Sequence, residues 1–288
     1  MENNNNRKLM SVNINFKHFN SLILFFLLIS KTSLAEENHI QDQITRFDFL
    51  EEKFDDKTLK LYGKRTHRFI RPTKEGLRTK LSDEDKVAPI GFGPHFEIPG
   101  DFRITATFQI ITLDTPSSGY GVGPEIYIGV EGGTSATIGR ICRSDGKNVY
   151  KAHRATGTGK ARKHSVRMFE TTNMEGQLRL ERKGETLIYS VAEKNDASFR
   201  EIHRNKFSIL PLKTLRVGSS QGDANVNLEF LWKDLEIAIL PPTKMPANVN
   251  ADLVVYLLIA IGILLAVVIF GFCFILKSNL LSKVKIKN

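Results

Sequence analysis

Apolar and polar residues alternate with a period of two along much of the chain. In residues 102–110 every second residue is apolar, and the residues between them are Arg, Thr, Thr and Gln. The same alternation recurs in 126–130, 178–180, 187–191 and 226–232. Successive side chains of a strand point to opposite faces, so this pattern predicts strands with one face in a core and the other in water.

Clusters of turn-forming residues separate these alternating runs, as in Pro99-Gly100-Asp101, Gly132-Gly133 and Lys183-Gly184. Short strands joined by such turns predict antiparallel sheets, and two sheets can bury their apolar faces against each other. We therefore expect residues 36–240 to form one all-β domain, a two-sheet antiparallel sandwich. A helical stripe is conceivable only in 40–54, where a lead-in to the first strand explains the sequence equally well.

A long apolar run near the C-terminus predicts a transmembrane α-helix. Residues 253–276 contain no charged side chain, and their 24 positions correspond to a helix of roughly 36 Å. A bilayer core requires about 20 such residues, and lipid offers no hydrogen-bond partner to a non-helical backbone. A buried core helix is the alternative. Residues 277–288 carry four lysines and no acid, which predicts a short cytoplasmic tail.

The N-terminus has the pattern of a secretory signal peptide. Arg7, Lys8 and Lys17 precede the apolar stretch 22–29, and small residues end at Ala35, so we predict a signal peptide over 1–35. The alternative is an uncleaved anchor. Residues 241–252 contain three prolines and predict a short stalk that holds the domain up to about 30 Å from the bilayer. The sequence thus predicts a single-pass membrane protein whose main domain is periplasmic or on the cell surface.

The two ends account for much of the chain's basic character. The whole chain has a net charge of +10, but residues 1–35 and 277–288 hold eight of the 41 Lys and Arg and only one of the 31 acids. The predicted extracytoplasmic part therefore has 33 bases and 30 acids, a net charge of +3. Global charge gives no reason to expect a nucleic-acid partner.

Five sequence segments carry a resemblance to a known superfamily. They are Glu75-Gly76-Leu77-Arg78, Pro99-Gly100-Asp101-Phe102-Arg103-Ile104, Gly119-Tyr120-Gly121-Val122-Gly123, 176–182 and 230–237. Together they resemble the concanavalin A-like lectin/glucanase superfamily, and most closely a bacterial family of unknown function. The resemblance spans roughly residues 47–239 and implies a jelly-roll sandwich. It also implies the usual activities of the superfamily, which are carbohydrate recognition, hydrolysis and protein adhesion, and the fold alone assigns none of them.

Catalytic and metal-binding patterns are weak in this sequence. Retaining glucanases of the superfamily present carboxylates in a Glu-x-Asp-x-x-Glu strand, and this triplet does not occur. Asp234 and Glu236 share a strand face, which we interpret as an ordinary solvated face. Asn195-Asp196 and Asp223 are interpreted as turn residues rather than calcium ligands. We therefore expect no enzymatic activity, no metal and no cofactor.

Two groups of residues are the candidate ligand contacts. Tyr127 and Glu125 share the outward face of one predicted strand, with Tyr120 nearby, and aromatic faces with polar neighbours are typical of sugar sites. Residues 140–167 carry a local net charge of +8, and their middle, 154–164, is predicted to be a mobile basic loop. From this loop we select the cations Lys160, Arg162 and Lys163 as candidates.

We therefore expect a non-enzymatic binding module, with a glycan or an envelope protein as partner and an undetermined oligomeric state. Anionic lipid headgroups or acidic polysaccharide could contact the basic loop, and a merely solvated loop is the alternative. A membrane-tethered glycoside-active enzyme and a structural subunit of an envelope complex remain open as alternative functions. Cys142 is interpreted as a small buried residue and Trp232 as part of the core.

Overall fold

The computed structural model describes residues 43–85, 89–193, 198–219 and 226–241, together with 259, 261 and 262. The predicted signal peptide and most of the predicted stalk, transmembrane helix and tail lie outside these residues. Residues 259, 261 and 262 are helical. Among the described residues, no helix has the length and apolar character needed to cross a membrane.

The described residues form an antiparallel sandwich, as the alternation predicts. Sheet A has the strand order β13-β12-β11-β6-β15-β4-β3, and β1 also pairs with β15. Because β4 pairs with the first half of β15 and β1 with its second half, both lie on the same side of that strand. The sheet A strands are β1 (Gln43–Asp48), β3 (Ile70–Thr73), β4 (Gly76–Leu81), β6 (Asp101–Leu113), β11 (Glu175–Lys183), β12 (Thr186–Glu193), β13 (Arg200–Lys206) and β15 (Leu228–Leu240).

Sheet B covers the other side of the core, with the strand order β10-β9-β8-β7-β14-β5-β2. Short 3₁₀ turns span Thr66–Arg68, Glu131–Gly133 and Gly159–Ala161. The region 40–54, for which a helix was conceivable, contains strand β1. The sheet B strands are β2 (Leu59–Tyr62), β5 (Ile90–Pro94), β7 (Pro124–Val130), β8 (Ser135–Cys142), β9 (Asn148–Thr156), β10 (Lys163–Glu170) and β14 (Leu212–Ser219).

The inner faces of the two sheets bury one apolar core. Trp232 is completely buried, as predicted, and its ring contacts Phe230 and Phe92 edge-on at centroid distances of 5.6 and 6.4 Å. Phe49, just after β1, packs edge-on against Phe92 at 5.1 Å. Such edge-on pairs add about 0.5–1.5 kcal/mol to the burial of the rings themselves. Cys142 is also buried, in agreement with its interpretation as a small core residue.

Two arginines, Arg140 and Arg182, are buried and donate hydrogen bonds to carbonyl and amide oxygens. The Nε of Arg140 donates to the carbonyl of Asn173 at 2.8 Å, and its Nη1 donates to Asn148 Oδ1 at 2.8 Å. Arg182 Nη1 donates to the carbonyl of Leu210 at 2.6 Å. Burial lowers the pKa of both side chains. These arginines therefore fasten loops to strand ends, and Arg140 does not belong to the accessible basic surface predicted for 140–167.

A β-bulge in β15 reverses its alternation between Trp232 and Asp234. Before the bulge, even-numbered residues such as Trp232 point into the core. After it, odd-numbered residues such as Leu235 and Ile237 are buried. One extra residue in a strand shifts all following side chains to the other face. The bulge thus places Asp234 and Glu236 on the outer face of sheet A.

Candidate functional site

The outer face of sheet B carries Glu125 and Tyr127 on its central strand β7. Both cross-strand neighbours of Glu125, Gly139 and Gly218, lack a side chain. We call this part of the surface the glycine trough, defined by Gly91, Gly218 and Gly139 around Glu125. At about 4.8 Å per strand, the row from Gly91 to Lys151 is roughly 19 Å long. The full row across the sheet is Tyr62, Gly91, Gly218, Glu125, Gly139, Lys151 and Met168.

Glu125 is buried at the centre of the trough and lies between two cations. Its carboxylate is 3.2 Å from Lys151 Nζ and 3.0 Å from Arg216 Nη2. Burial of the carboxyl opposes ionisation, but the two cations outweigh it and lower the pKa of Glu125 below its ordinary value. The absence of a side chain at Gly139 is required here, because a Cβ there would lie 3.1 Å from Glu125 Cβ.

Tyr127 occupies the neighbouring row of the same face. The guanidinium of Arg216 lies over its ring, 5.0 Å from the centroid, in a cation–π contact. Farther along this row, His153 faces Thr137, and its Nε2 is 3.0 Å from Nδ1 of His164. Burial, assisted by the charge of Lys151, lowers the pKa of His153 to about 4. This part of the face therefore contains two cations, the carboxylate of Glu125, the phenol of Tyr127 and the paired imidazoles of His153 and His164.

The predicted basic loop is a short hairpin turn. Strand β9 extends to Thr156 and β10 begins at Lys163, so only residues 157–162 connect them, in contrast to the mobile loop expected over 154–164. Arg162 is tied down, because its Nη2 donates to Ser135 Oγ at 2.9 Å. Lys160 and Lys163 are exposed at the hairpin tip.

The structure brings together some of the predicted contact residues and separates others. Glu125 and Tyr127 lie on β7, and Arg162 contacts the turn that follows β7 through the carbonyl of Gly133 at 3.4 Å. Tyr120 is 91% exposed in the loop before β7, at the opposite end of that strand. Strand β7 has seven residues, so roughly 20 Å separates its two ends. A single small ligand cannot contact both Tyr120 and the hairpin tip.

The outer face of sheet A contains a cleft that was missed in the interpretation of the sequence. It has a volume of about 490 Å³ and lies across β11, β6, β15 and β1, with Asp234 and Glu236 in its lining. Burial raises the pKa of Asp234, and the nearby carboxylates of Asp48 and Glu236 act in the same direction. Asp234 and Glu236 therefore do not form an ordinary solvated face. In the sequence, the apolar positions of this strand shift from even to odd numbers at Leu235 and Ile237, and this shift indicated where the two carboxylates lie.

Across the described ranges, no group of three or more His, Cys, Asp or Glu side chains is placed to hold a metal ion. Asn195-Asp196 and Asp223, interpreted as turn residues in the sequence, lie outside the described residues.

Residues 30–238 match the family model described as "Protein of unknown function (DUF1583) C domain". The chain belongs to this family. No curated protein matches the chain. Membership in the DUF1583 C-domain family agrees with the expected likeness to a bacterial family of unknown function, and it assigns no activity.

Solved structures show the fold of this DUF1583 C domain. The CBM2 module of the evolved Dit of Lactobacillus casei BL23 phage J-1 is 9% identical, with a TM-score of 0.50 over 69% of this chain and 97% of that chain. A prokaryotic β-1,3-1,4-glucanase (lichenase) from a mouse hindgut metagenome is 10% identical, with a TM-score of 0.48 over 69% of this chain and 100% of that chain. A legume lectin-like domain from Entamoeba histolytica is 11% identical, with a TM-score of 0.47 over 68% and 97% of the two chains. The likeness to the CBM2 module agrees with the two-sheet antiparallel sandwich, and at this identity it concerns the fold alone.

Proposed function

We propose that this protein is a non-enzymatic glycan-binding module and that acidic polysaccharide binds across the outer face of sheet B. The observation that carries the proposal is the glycine trough with Glu125 held between Lys151 and Arg216. On β2, β5, β14, β7, β8 and β9 the outward charged side chains are three cations and Glu125, a net charge of +2, and Glu170 on the edge strand β10 lowers the total for the sheet to +1. A cationic trough favours an anionic ligand.

The trough suits an extended ligand more than a compact one. It runs perpendicular to the strands, so a chain-like molecule would lie along the row of polar side chains that surrounds its buried glycines. Tyr62 and Tyr127 offer aromatic edges beside it, and Lys160 and Lys163 add positive charge at the hairpin tip, roughly 17 Å from Lys151 along β9. Carboxylates of a uronic-acid polymer would accept charge-assisted hydrogen bonds from these cations.

The arrangement of β7 supports binding without hydrolysis at this face. A retaining glycosidase needs two carboxyl groups about 5 Å apart. The outward positions of β7 are Glu125, Tyr127 and Gly129, which supply one carboxylate, and two cations already neutralise it. We therefore assign no catalytic residue to the outer face of sheet B.

Retention on a polygalacturonate matrix tests this proposal with the purified full-length protein. The double variant Lys160→Gln/Lys163→Gln should lower affinity roughly tenfold at low salt, since each exposed ion pair contributes up to about 1 kcal/mol. The control Lys80→Gln/Lys183→Gln removes the same charge from sheet A and should bind like wild type. Equal losses in the two double variants, or no retention of wild type, would refute the proposal.

We further propose that the domain is displayed outside a membrane and anchored by residues 253–276. The uncharged run and the lysine-rich tail support this topology, as does the signal-like N-terminus. Any glycan partner would then be close to the membrane, in the periplasm or at the cell surface. Protease treatment of intact spheroplasts should degrade the sandwich and leave a C-terminal epitope tag protected. A digested tag with an intact sandwich would contradict the proposed orientation.

A further inference from the structure

The cleft on sheet A lies on the opposite side of the sandwich from the glycine trough. The lowest part of the cleft is at Thr105 on β6, between the longer side chains of Arg179 on β11 and Glu236 on β15. Its volume of about 490 Å³ falls within the range of roughly 300–1,000 Å³ typical of small-molecule sites. A ligand of one or two sugar rings would fit this space.

Polar groups in the cleft are ordered and retain unused hydrogen-bonding capacity. Thr107 Oγ1 donates to Asp234 Oδ1 at 3.0 Å and accepts from Gln177 Nε2 at 3.0 Å. These two hydrogen bonds hold the side chains of Asp234 and Gln177 in place. It leaves the second oxygen of Asp234 and the Oε1 of Gln177 without a hydrogen bond from a described residue. Two acceptors therefore face the same space.

Arg179 supplies donors beside these acceptors. Its Nε donates to Thr105 Oγ1 at 2.9 Å, and its guanidinium stacks on Phe199 with 3.3 Å between Cζ and the ring centroid. The two terminal nitrogens make no hydrogen bond to any residue in the described ranges. Because the guanidinium is already held in place, little side-chain entropy would be lost when a ligand binds to it.

Charge in the cleft is balanced, unlike charge in the trough. Three cations and three carboxylates line it, and Arg46 is ion-paired with Glu236. An anionic ligand would meet Asp48, Asp234 and Glu236, whereas a neutral ligand carries no such penalty. Sugar hydroxyls both donate and accept, so a neutral diol can use the carboxylate and the guanidinium together.

We propose that the sheet A cleft is a second binding site, for one or two rings of a neutral saccharide, with Asp234, Gln177 and Arg179 as its hydrogen-bonding residues. This site is independent of the acidic-polysaccharide surface on sheet B. The domain would then hold two chemically different glycans on opposite faces.

Calorimetric titration of the purified full-length protein with a panel of neutral disaccharides, differing in linkage and stereochemistry, tests the second site. At least one disaccharide should bind, with an affinity that does not change with salt. Arg179→Met keeps the aliphatic stem on Phe199 and removes the donors, and Asp234→Asn removes the charged acceptor. Each change should weaken binding about tenfold, because each removes a hydrogen bond to a charged group, and tenfold corresponds to about 1.4 kcal/mol.

Arg78→Met is the matched control, because Arg78 lies on the same outer face but pairs with Glu75 and Glu229 outside the cleft. It should bind the disaccharide like wild type, and so should Lys160→Gln/Lys163→Gln. Thermal melts establish that each variant is folded. The proposal is overturned if no disaccharide of the panel binds, or if Arg179→Met and Asp234→Asn both bind like wild type. It is also overturned if only the hairpin variant loses binding.

Discussion

The two outer faces of the sandwich shift the pKa of a buried carboxyl group in opposite directions. On sheet B, Lys151 and Arg216 enclose Glu125, and the pKa of Glu125 is lowered. On sheet A, burial and neighbouring acids raise the pKa of Asp234. Burial opposes ionisation at both positions, and the difference lies in the partners. Glu125 is a fixed structural charge, whereas Asp234 keeps one carboxylate oxygen without a hydrogen bond from a described residue.

The largest expected effect is the loss of the Glu125 charge. Glu125→Gln leaves Lys151 and Arg216 close together without their anion, which should cost about 3 kcal/mol of unfolding free energy at neutral pH. Because the pKa of Glu125 is lowered by folding, its contribution is present above the unfolded pKa and disappears as pH falls through the folded value. Chemical denaturation at neutral and acidic pH would measure both effects.

Glu229→Gln is the control for this substitution on sheet A. Glu229 pairs with Lys80 at 3.2 Å and with Arg78 at 3.4 Å, but both cations are more exposed than Lys151 and Arg216, so the loss should be about 1 kcal/mol or less. If Glu125→Gln and Glu229→Gln lost the same unfolding free energy, the distinction between the buried ion pairs of sheet B and the exposed ion pairs of sheet A would be contradicted.

A smaller loss of stability is expected when a methyl group is added inside the glycine trough. In Gly139→Ala the new Cβ would meet Glu125 Cβ and the carbonyl of Pro124, both at 3.1 Å, and we expect a cost of about 2 kcal/mol. Gly129→Ala is the matched control on β7, because its Cβ would meet only the side chain of Tyr127, which can move. The melting temperature of Gly139→Ala should be well below that of Gly129→Ala. The reverse order would argue against a tight contact at Gly139.

The pH dependence of stability offers a third test on sheet B. The pKa of His153 is about 4 in the folded protein, below the ordinary value of 6.5. Between these pH values the unfolded chain binds a proton that the folded protein does not, so stability falls as the solution is acidified. His153→Gln should flatten this part of the pH profile, while the exposed control His67→Gln should not. An unchanged profile would mean that His153 is not held neutral by the fold.

The smallest effect is expected at Asp234, with the opposite sign. A raised folded pKa favours the folded state only while the carboxyl is protonated, and this advantage is lost as pH rises through the folded pKa. Asp234→Asn should therefore stabilise the protein at neutral pH, by less than about 1 kcal/mol. The gain should vanish in acid, below the unfolded pKa. Destabilisation at neutral pH would show that the carboxylate is structurally required.

The fold was predictable from the sequence because alternation and turns are local signals. Trp232, for example, was placed in the core by parity with Phe230. The sheet A cleft was not predicted, since a single bulge after Trp232 reverses that parity and brings Asp234 outward beside residues of β1 and β11. The pairing of Glu125 was also not predictable. It depends on Arg216, which is distant in sequence and becomes a neighbour only through the register of β14 with β7.

Simultaneous occupancy is the most direct test of two separate glycan surfaces. A neutral disaccharide that binds the full-length protein is titrated in the absence and in the presence of saturating polygalacturonate. We predict the same dissociation constant in both titrations, because the cleft and the trough lie on opposite faces of the sandwich. Competition between the two ligands would contradict this account and would place both on one surface.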